Sequence, residues 1–330
     1  MESAIEKRER LFTLFGSFHE ISALPLHPGD FAVSLRQIGL RFMNESPSRK
    51  LPVRIYSPEP LLSHFWPLLV SMWNDVLAGR QLTWRLFVRD LSAQYRQTYL
   101  GYVWAFLPPL AAALTFIFLN SQGIVQLQGT SIPYPAFAMI GTLLWQTFAD
   151  SFAAPSLSLV SARLMLVKIN FPRESVLLAG MCMVVFNFFI RLALLVAVMA
   201  YWRIAPGSSL LFFPLALFGL MLTGFAFGLL LAPWAGLYGD IPRAIPMIAQ
   251  FWMLLTPVVY PARTEGLAGR LAVWNPVSPL MTTAREALAG QALTQAHAAM
   301  LVLSLAGAVC LLGFICFRLA MPHVIARLGG

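Results

Sequence analysis

The sequence predicts an all-α membrane protein: about six transmembrane helices, an amphipathic helix ahead of them, and short re-entrant helices between the last two. Three observations predict it. The 330 residues are 58% hydrophobic and 11% charged, where a soluble domain is about 45–50% apolar and about 25% charged. The excess is gathered in runs long enough for the roughly 20 apolar residues that cross a bilayer's hydrocarbon. None of the runs alternates in polarity as barrel strands do, so each must satisfy its backbone as a helix.

The elements follow in chain order. Residues 1 to about 80 carry charges and prolines and no run long enough to span, and Asn44-Glu45-Ser46-Pro47-Ser48-Arg49-Lys50 reads as a flexible linker. Leu11-Phe12 and Phe65-Trp66 mark short surface helices. The first apolar span begins only near residue 102, so no cleavable signal peptide is expected. Just before it, Trp84, Phe87, Val88, Leu91, Tyr95 and Tyr99 share one third of a helical wheel, and Arg85, Arg89, Ser92 and Arg96 share a neighbouring sector. Arginines beside aromatics suit a helix lying in the headgroup layer. The alternative is a helix packed on a soluble core.

Six spans are expected at 102–122, 134–158, 176–202, 209–236, 244–260 and 297–320. Pro108-Pro109 should kink the first, and Pro214 and Pro233 should distort the fourth. Between the fifth and sixth, Leu271-Ala272-Val273-Trp274 and Ser278-Pro279-Leu280-Met281 are too short to cross and read as interfacial or re-entrant helices. With both termini inside, the inner flanks hold ten cations: Arg80, Arg85, Arg89, Arg96, Arg163, Lys168, Arg173, Arg243, Arg318 and Arg327. The outer flanks hold four, Arg203, Arg263, Arg270 and Arg285. That asymmetry gives an N-in, C-in topology. The last three outer arginines run against the trend and are expected at the outer headgroup level or facing an anionic substrate.

Composition also excludes chemistry. The net charge of +9 belongs to loops rather than to a clustered basic face, so no nucleic-acid partner is expected. Cys182, Cys310 and Cys316 lie inside apolar runs, so no disulfide is expected, and the five histidines are scattered without metal-ligand spacing. No lysine follows the glycines of a G-x-x-x-x-G-K-[ST] loop, so ATP hydrolysis by a P-loop of this chain is excluded. Neither G-x-S-x-G nor H-E-x-x-H occurs.

The residues that stand out are few. Arg191 lies near the middle of the third span with Asn187 one turn earlier on the same face. A charge there costs at least about 2.5–3.5 kcal/mol to insert, so it should face an anionic substrate group or fix helix packing. By helical rise, Asp150 sits at a different depth and is expected to be a poor partner. Tyr134, Trp145, Trp234, Trp252, Tyr260 and Trp274 sit mostly near span ends, as an interface belt or as a surface for stacking sugar rings. The inner loop from Ser161 to Glu174 is short and basic with apolar residues among its charges. It reads as a knob that docks a protein, or as an ordinary positive-inside loop. Phe171-Pro172 should end a short helix within it.

Several stretches together resemble the ABC-2 type permeases that export polysaccharides such as O-antigen, capsule and teichoic acid. They are Asp90 to Leu110, Ile132-Pro133-Tyr134-Pro135, the Lys168 to Arg173 loop, Tyr238-Gly239-Asp240-Ile241-Pro242, Phe251 to Pro261, and Trp274-Asn275-Pro276-Val277-Ser278-Pro279. The resemblance implies a permease subunit in the bacterial inner membrane, paired with a second copy of itself and with separate nucleotide-binding ABC ATPase subunits. ATP and Mg would be held by those partners, with no cofactor or metal in this chain. The cargo would be a glycan or lipid-linked glycan moved between the two permeases. The amphipathic helix with Trp84, Arg85, Arg89, Tyr95 and Arg96 would lie against membrane lipids. Arg163, Lys168, Asn170, Phe171, Pro172 and Arg173 would form the coupling helix seated on the ATPase. Asn187, Arg191, Tyr134, Trp145 and Tyr260 would be channel or substrate contacts, and the short helices near 262–290 would be periplasmic and re-entrant.

In this reading 102–330 is the transmembrane domain, 53–101 a cytoplasmic arm, and 1–52 an extension that departs from the family pattern. The extension is expected to be flexible, or in part absent from the natural product with translation starting at Met43. A drug or lipid permease, or a membrane-embedded transferase acting on lipid-linked sugars, are the other readings.

Overall fold

A computed structural model describes residues 65–95, 99, 103, 107–122, 132–169, 171–261 and 274–329. The arm at 1–52, the loop at 123–131, Arg96, Asn170 and the stretch 262–273 lie outside the described residues, and with them the expectations placed there. The described residues form helices and no strand, as the composition requires of an all-α membrane protein. In order they are α1 (Phe65–Tyr95), α2 (Leu107–Ser121), α3 (Tyr134–Ser161), the short α4 (Arg163–Lys168) and α5 (Glu174–Tyr201). A 3₁₀ turn at Ser208–Phe212 runs into α6 (Phe213–Leu237), followed by α7 (Asp240–Leu255), α8 (Val277–Leu288) and α9 (Ala296–Gly329).

α3 is the hub. It packs on α6 and α5, and α6 packs in turn on α9 and α8. The α3–α6 contact is close because Gly224 and Gly228 stand one turn apart on α6, facing the backbone of α3. A methyl group at Gly224 would lie 2.6 Å from the Phe148 carbonyl oxygen, and one at Gly228 would collide with that of Phe152. Small residues at this spacing let helix backbones meet, which matters where no hydrophobic force drives helices together. Around the hub lie two buried clusters. One, toward the Tyr134 end of α3, includes Ile140, Phe148, Leu220, Leu280 and Met281. The other, toward the Ser161 end, includes Leu159, Leu177, Leu229, Phe317 and Met321. The Ser161 end carries Arg163, Lys168, Arg173 and Arg318 and is called the basic end below.

Among the described residues, three helical stretches are long and apolar enough to cross a membrane by composition: Glu174–Tyr201, Ser208–Leu237 and Ala296–Leu328. α3 has the length, with 28 residues, but is more polar. It tolerates this because most of its side chains are buried in protein. Its hydroxyls also bond back to its own carbonyls, Thr147 to Leu143 at 3.0 Å and Ser151 to Thr147 at 2.8 Å. α2, of 15 residues, and α7, of 16 residues, are shorter than the expected spans. At 1.5 Å per residue they reach about 22–24 Å, less than the roughly 30 Å of hydrocarbon.

The prolines explain part of the difference. Pro108-Pro109 does not kink α2. The pair occupies its first turn, where a missing N–H costs nothing. Pro214 likewise stands in the first turn of α6, whereas Pro233 and Pro155 lie inside helices.

α1 begins well before the expected residue 82. Its packed face is Met72, Gly79, Thr83, Leu86 and Phe87, set against α5, where Phe87 meets Phe186 edge to face at 6.3 Å between ring centroids. Trp84 and Val88, expected on one apolar face with Phe87, lie instead on a second stripe. That stripe is Val70, Trp73, Leu77, Trp84 and Val88, all exposed, at spacings that put them on one side of the helix. Arg85 and Arg89 border the stripe and are exposed. The helix therefore has two apolar faces, one used and one open.

Candidate functional site

At the basic end the chain leaves α3, makes the two-turn helix α4, and enters α5. α4 stops at Lys168 because Ile169 is extended (φ −131°, ψ 133°), before Phe171-Pro172 is reached. The knob is anchored by Leu166, which is buried with Leu86 and Phe87 of α1. Arg89 of α1 approaches Met165 Sδ at 3.9 Å and donates to its neighbour Asp90 at 2.8 Å. Leu164 is 77% exposed, and Val167 and Ile169 are exposed beside Arg163 and Lys168. Phe171, Pro172 and Arg173 are half-buried at the exit. Five of the six residues expected to couple to a partner thus lie on α4 or in the turn that follows it, with α1 beside α4; Asn170 is outside the described residues.

Inside the helical layer, Arg191 of α5 forms an ion pair with Asp150 of α3, Nη2 to Oδ2 at 2.5 Å. This overturns the expectation that Asp150 is a poor partner. Both helices have 28 residues and run about 42 Å, longer than the hydrocarbon, so their ends do not mark the interfaces from which depth was counted. The long arginine side chain spans what offset remains. Arg191 is mostly buried, Asp150 about a third exposed at 35%, and Arg191 Nη1 has no hydrogen-bond partner among the described residues. Asn187, one turn earlier, is half-buried.

The aromatic candidates separate. Trp145 is buried and packs on Phe148 at 5.0 Å. Tyr134 is buried at the start of α3. Tyr260 is half-buried and donates from its hydroxyl to the Leu254 carbonyl at 2.8 Å. Trp234 and Trp274 are exposed. Trp252 sits among Phe148, Phe152 and Phe227, with centroids 5.3, 6.1 and 5.4 Å away.

The far end holds a site that the sequence reading missed. α7 ends at Leu255, and the turn that follows is held by α8. Asn275 donates to Thr256 Oγ1 at 2.7 Å and accepts from Trp252 Nε1 at 3.0 Å and from the Val277 backbone N–H at 3.1 Å. Arg285 donates through Nη2 to the carbonyls of Pro257, at 3.0 Å, and Val258, at 2.6 Å. Its guanidinium lies 3.8 Å over the Phe137 ring. Arg285 is buried, with its guanidinium turned to these carbonyls rather than toward a lipid headgroup or an anionic substrate. Loop position and charge pointed outward, whereas the signal was the run of orphaned carbonyls a helix leaves where it stops at Thr256-Pro257. Burial pushes its guanidinium down to about 9, with Glu286 opposing, so it is still charged at neutral pH. Gly141 of α3 makes the room, since a methyl group there would collide with the Val258 carbonyl and lie 2.5 Å from Arg285 Nη2. Gly141→Ala is expected to destabilise the protein by about 1–3 kcal/mol, the usual cost of overpacking, read as a lower unfolding midpoint in detergent.

Comparison with known proteins gives the same overall picture. The profile of the ABC-2 type transporter family matches residues 81–289. The O-antigen export system permease protein RfbA of Myxococcus xanthus is 27% identical over 224 residues, 65% of this chain and 83% of the relative. A protein of the same name from Klebsiella pneumoniae is 22% identical over 201 residues, 60% of this chain and 76% of that relative. The matched range runs from within α1 to just past α8 and contains the basic knob, the Arg191–Asp150 pair and the Arg285 clamp.

Proposed function

Because this chain belongs to the ABC-2 type transporter family, we propose that it is the permease subunit of an ATP-driven exporter of a polysaccharide, free or lipid-linked, across a bacterial inner membrane. The observation that carries the coupling half of this reading is the basic knob. A buried Leu166 anchors a short helix whose Leu164 and Val167 are exposed beside Arg163 and Lys168, with Ile169 exposed just past its end. Exposed apolar side chains ringed by cations suit a protein groove better than water, and an ATPase subunit is the partner that a chain without a P-loop requires. ATP and Mg belong to that subunit. The basic end is then cytoplasmic, in keeping with the positive-inside rule, and the Arg285 clamp faces the periplasm. α1 rests in the headgroup layer on its open stripe, with Arg85 and Arg89 reaching phosphates. The names of the relatives support a glycan as cargo, and two copies of the chain would enclose its path.

Charge reversal of the knob tests the reading. Lys168→Glu combined with Arg173→Glu is expected to leave membrane insertion unchanged and to lower recovery of the ATPase in affinity co-purification about ten-fold, near 1.4 kcal/mol of binding. Recovery equal to the parent protein would refute docking at this loop. Labelled polysaccharide retained inside cells that lack the chain would support the cargo assignment, and unaltered surface glycan would refute it.

A further inference from the structure

Behind the knob, three helices are tied by one arginine. Arg318 of α9 donates from Nη2 to Asp75 Oδ2 of α1 at 2.8 Å, and its Nη1 stands 3.5 Å from Glu174 Oε1 at the start of α5. Side-chain exposures are 23% for Arg318, 15% for Asp75 and 8% for Glu174. Glu174 follows Arg173 directly, so it is the first helical residue after the knob. One turn along α1 from Asp75, Gly79 meets Ser175 so closely that a methyl group there would collide with the serine hydroxyl. α1 and α5 therefore meet through the Ser175 side chain, whose hydroxyl donates to the Gly79 carbonyl at 3.4 Å, at the point where Arg318 closes the charge cluster.

Charges this well shielded from water persist only when paired. A buried ion cluster is often no more stable than apolar residues of the same shape, so stability alone is a weak reason for this one. Its geometry offers another. A push on the knob reaches α5 first, at Glu174. Arg318 adds a charged link from there to α1 and α9. With it, the membrane-lying α1 and the last span α9 are pulled along.

We propose that Arg318 is a positioning residue for coupling, joining the exit of the 163–173 loop to α1 and α9 so that the three helices move as one body when the ATPase subunit closes. This rests on the reading of that loop as the ATPase docking segment. The arginine touches neither nucleotide nor cargo. It sets what the docking loop can move.

The test uses the full chain with its ATPase subunit. Arg318→Gln and the near-isosteric Asp75→Asn are compared by membrane level, ATPase co-purification, ATP turnover of the complex, and surface polysaccharide labelled from radioactive glucose. Both variants are expected to keep co-purification and to keep ATP turnover within two-fold, while export falls about ten-fold. Arg318→Lys, which keeps the charge, is expected to recover at least half of the export. Parent-level export in either neutral variant with an intact complex overturns the proposal. So does a loss of ATP turnover that matches the loss of export, since that marks a general defect. If Arg318→Gln does not accumulate, Asp75→Asn decides by the same criteria. Failure of the docking reading is separate: it shows as unchanged ATPase recovery in the combined Lys168→Glu and Arg173→Glu variant, whatever Arg318 does.

Discussion

Arg191→Leu is expected to lower the unfolding midpoint in detergent by the equivalent of about 3 kcal/mol. The substitution removes the cation from the Arg191–Asp150 pair and leaves a carboxylate against the face of α5. Breaking a buried ion pair on one side costs about 3–5 kcal/mol, and the partial exposure of Asp150 places this case near 3 kcal/mol. Removing both charges gives a different result. Arg191→Leu combined with Asp150→Leu should recover most of the midpoint, because a desolvated pair is commonly close to neutral against an apolar replacement. The double variant then separates two roles. If Arg191 Nη1, buried and without a hydrogen-bond partner among the described residues, meets an anionic group of the cargo, the stable double variant exports poorly. If the pair only fixes packing, export returns with stability. Thermal unfolding followed by fluorescence size exclusion, beside surface glycan labelling, reads both.

The sequence showed the class of the fold more clearly than its depth relations. Long apolar runs located α5, α6 and the start of α9 to within a few residues, because lipid-facing helices must be apolar over their whole length; α9 continues past the expected 320 to Gly329. α3 was located as well, yet its polarity made sense only once its neighbours were known, since a helix wrapped by protein is free of that requirement. α1 was half visible. Its open stripe of Trp73, Leu77, Trp84 and Val88 is apolar, while its packed face runs through Asp75, Gly79 and Thr83, which hydrophobic periodicity does not register. The end of α7 was placed at 260 instead of Leu255 because Thr256-Pro257-Val258-Val259 reads as a continuation of an apolar run, and nothing local reveals that Arg285, 27 residues later, caps it. The 161–174 loop was legible as a basic, partly apolar segment between two spans, since that evidence is local. The pairs Arg191–Asp150 and Arg318–Asp75 were not, being 41 and 243 residues apart. One sequence records no pairing across such distances.

Arg285→Met should show what holds the Leu255 end of α7. Methionine approximates the length of the stem but donates nothing, so the carbonyls of Pro257 and Val258 lose their charged donor. Val258 is fully buried, and water has no ready route to replace the lost bonds. Leaving a buried carbonyl unsatisfied costs about 1–3 kcal/mol, and loss of the contact with Phe137 about 0.5–2 kcal/mol more. Against this stands relief from holding a desolvated cation, the same effect that pushes the guanidinium down to about 9. A net loss of about 2–4 kcal/mol follows from the larger number of bonds lost, seen as a depressed unfolding midpoint. Hydrogen exchange at residues 255–260 should rise with it, while exchange in the 163–173 loop at the opposite end stays as it was. Arg285→Lys is expected to recover less than half of the loss: a lysine keeps the charge, but its shorter ammonium does not present two donors from one planar nitrogen to adjacent carbonyls. Unchanged exchange at 255–260 in Arg285→Met would mean that the Asn275 bonds to Thr256 and Trp252 hold the turn by themselves.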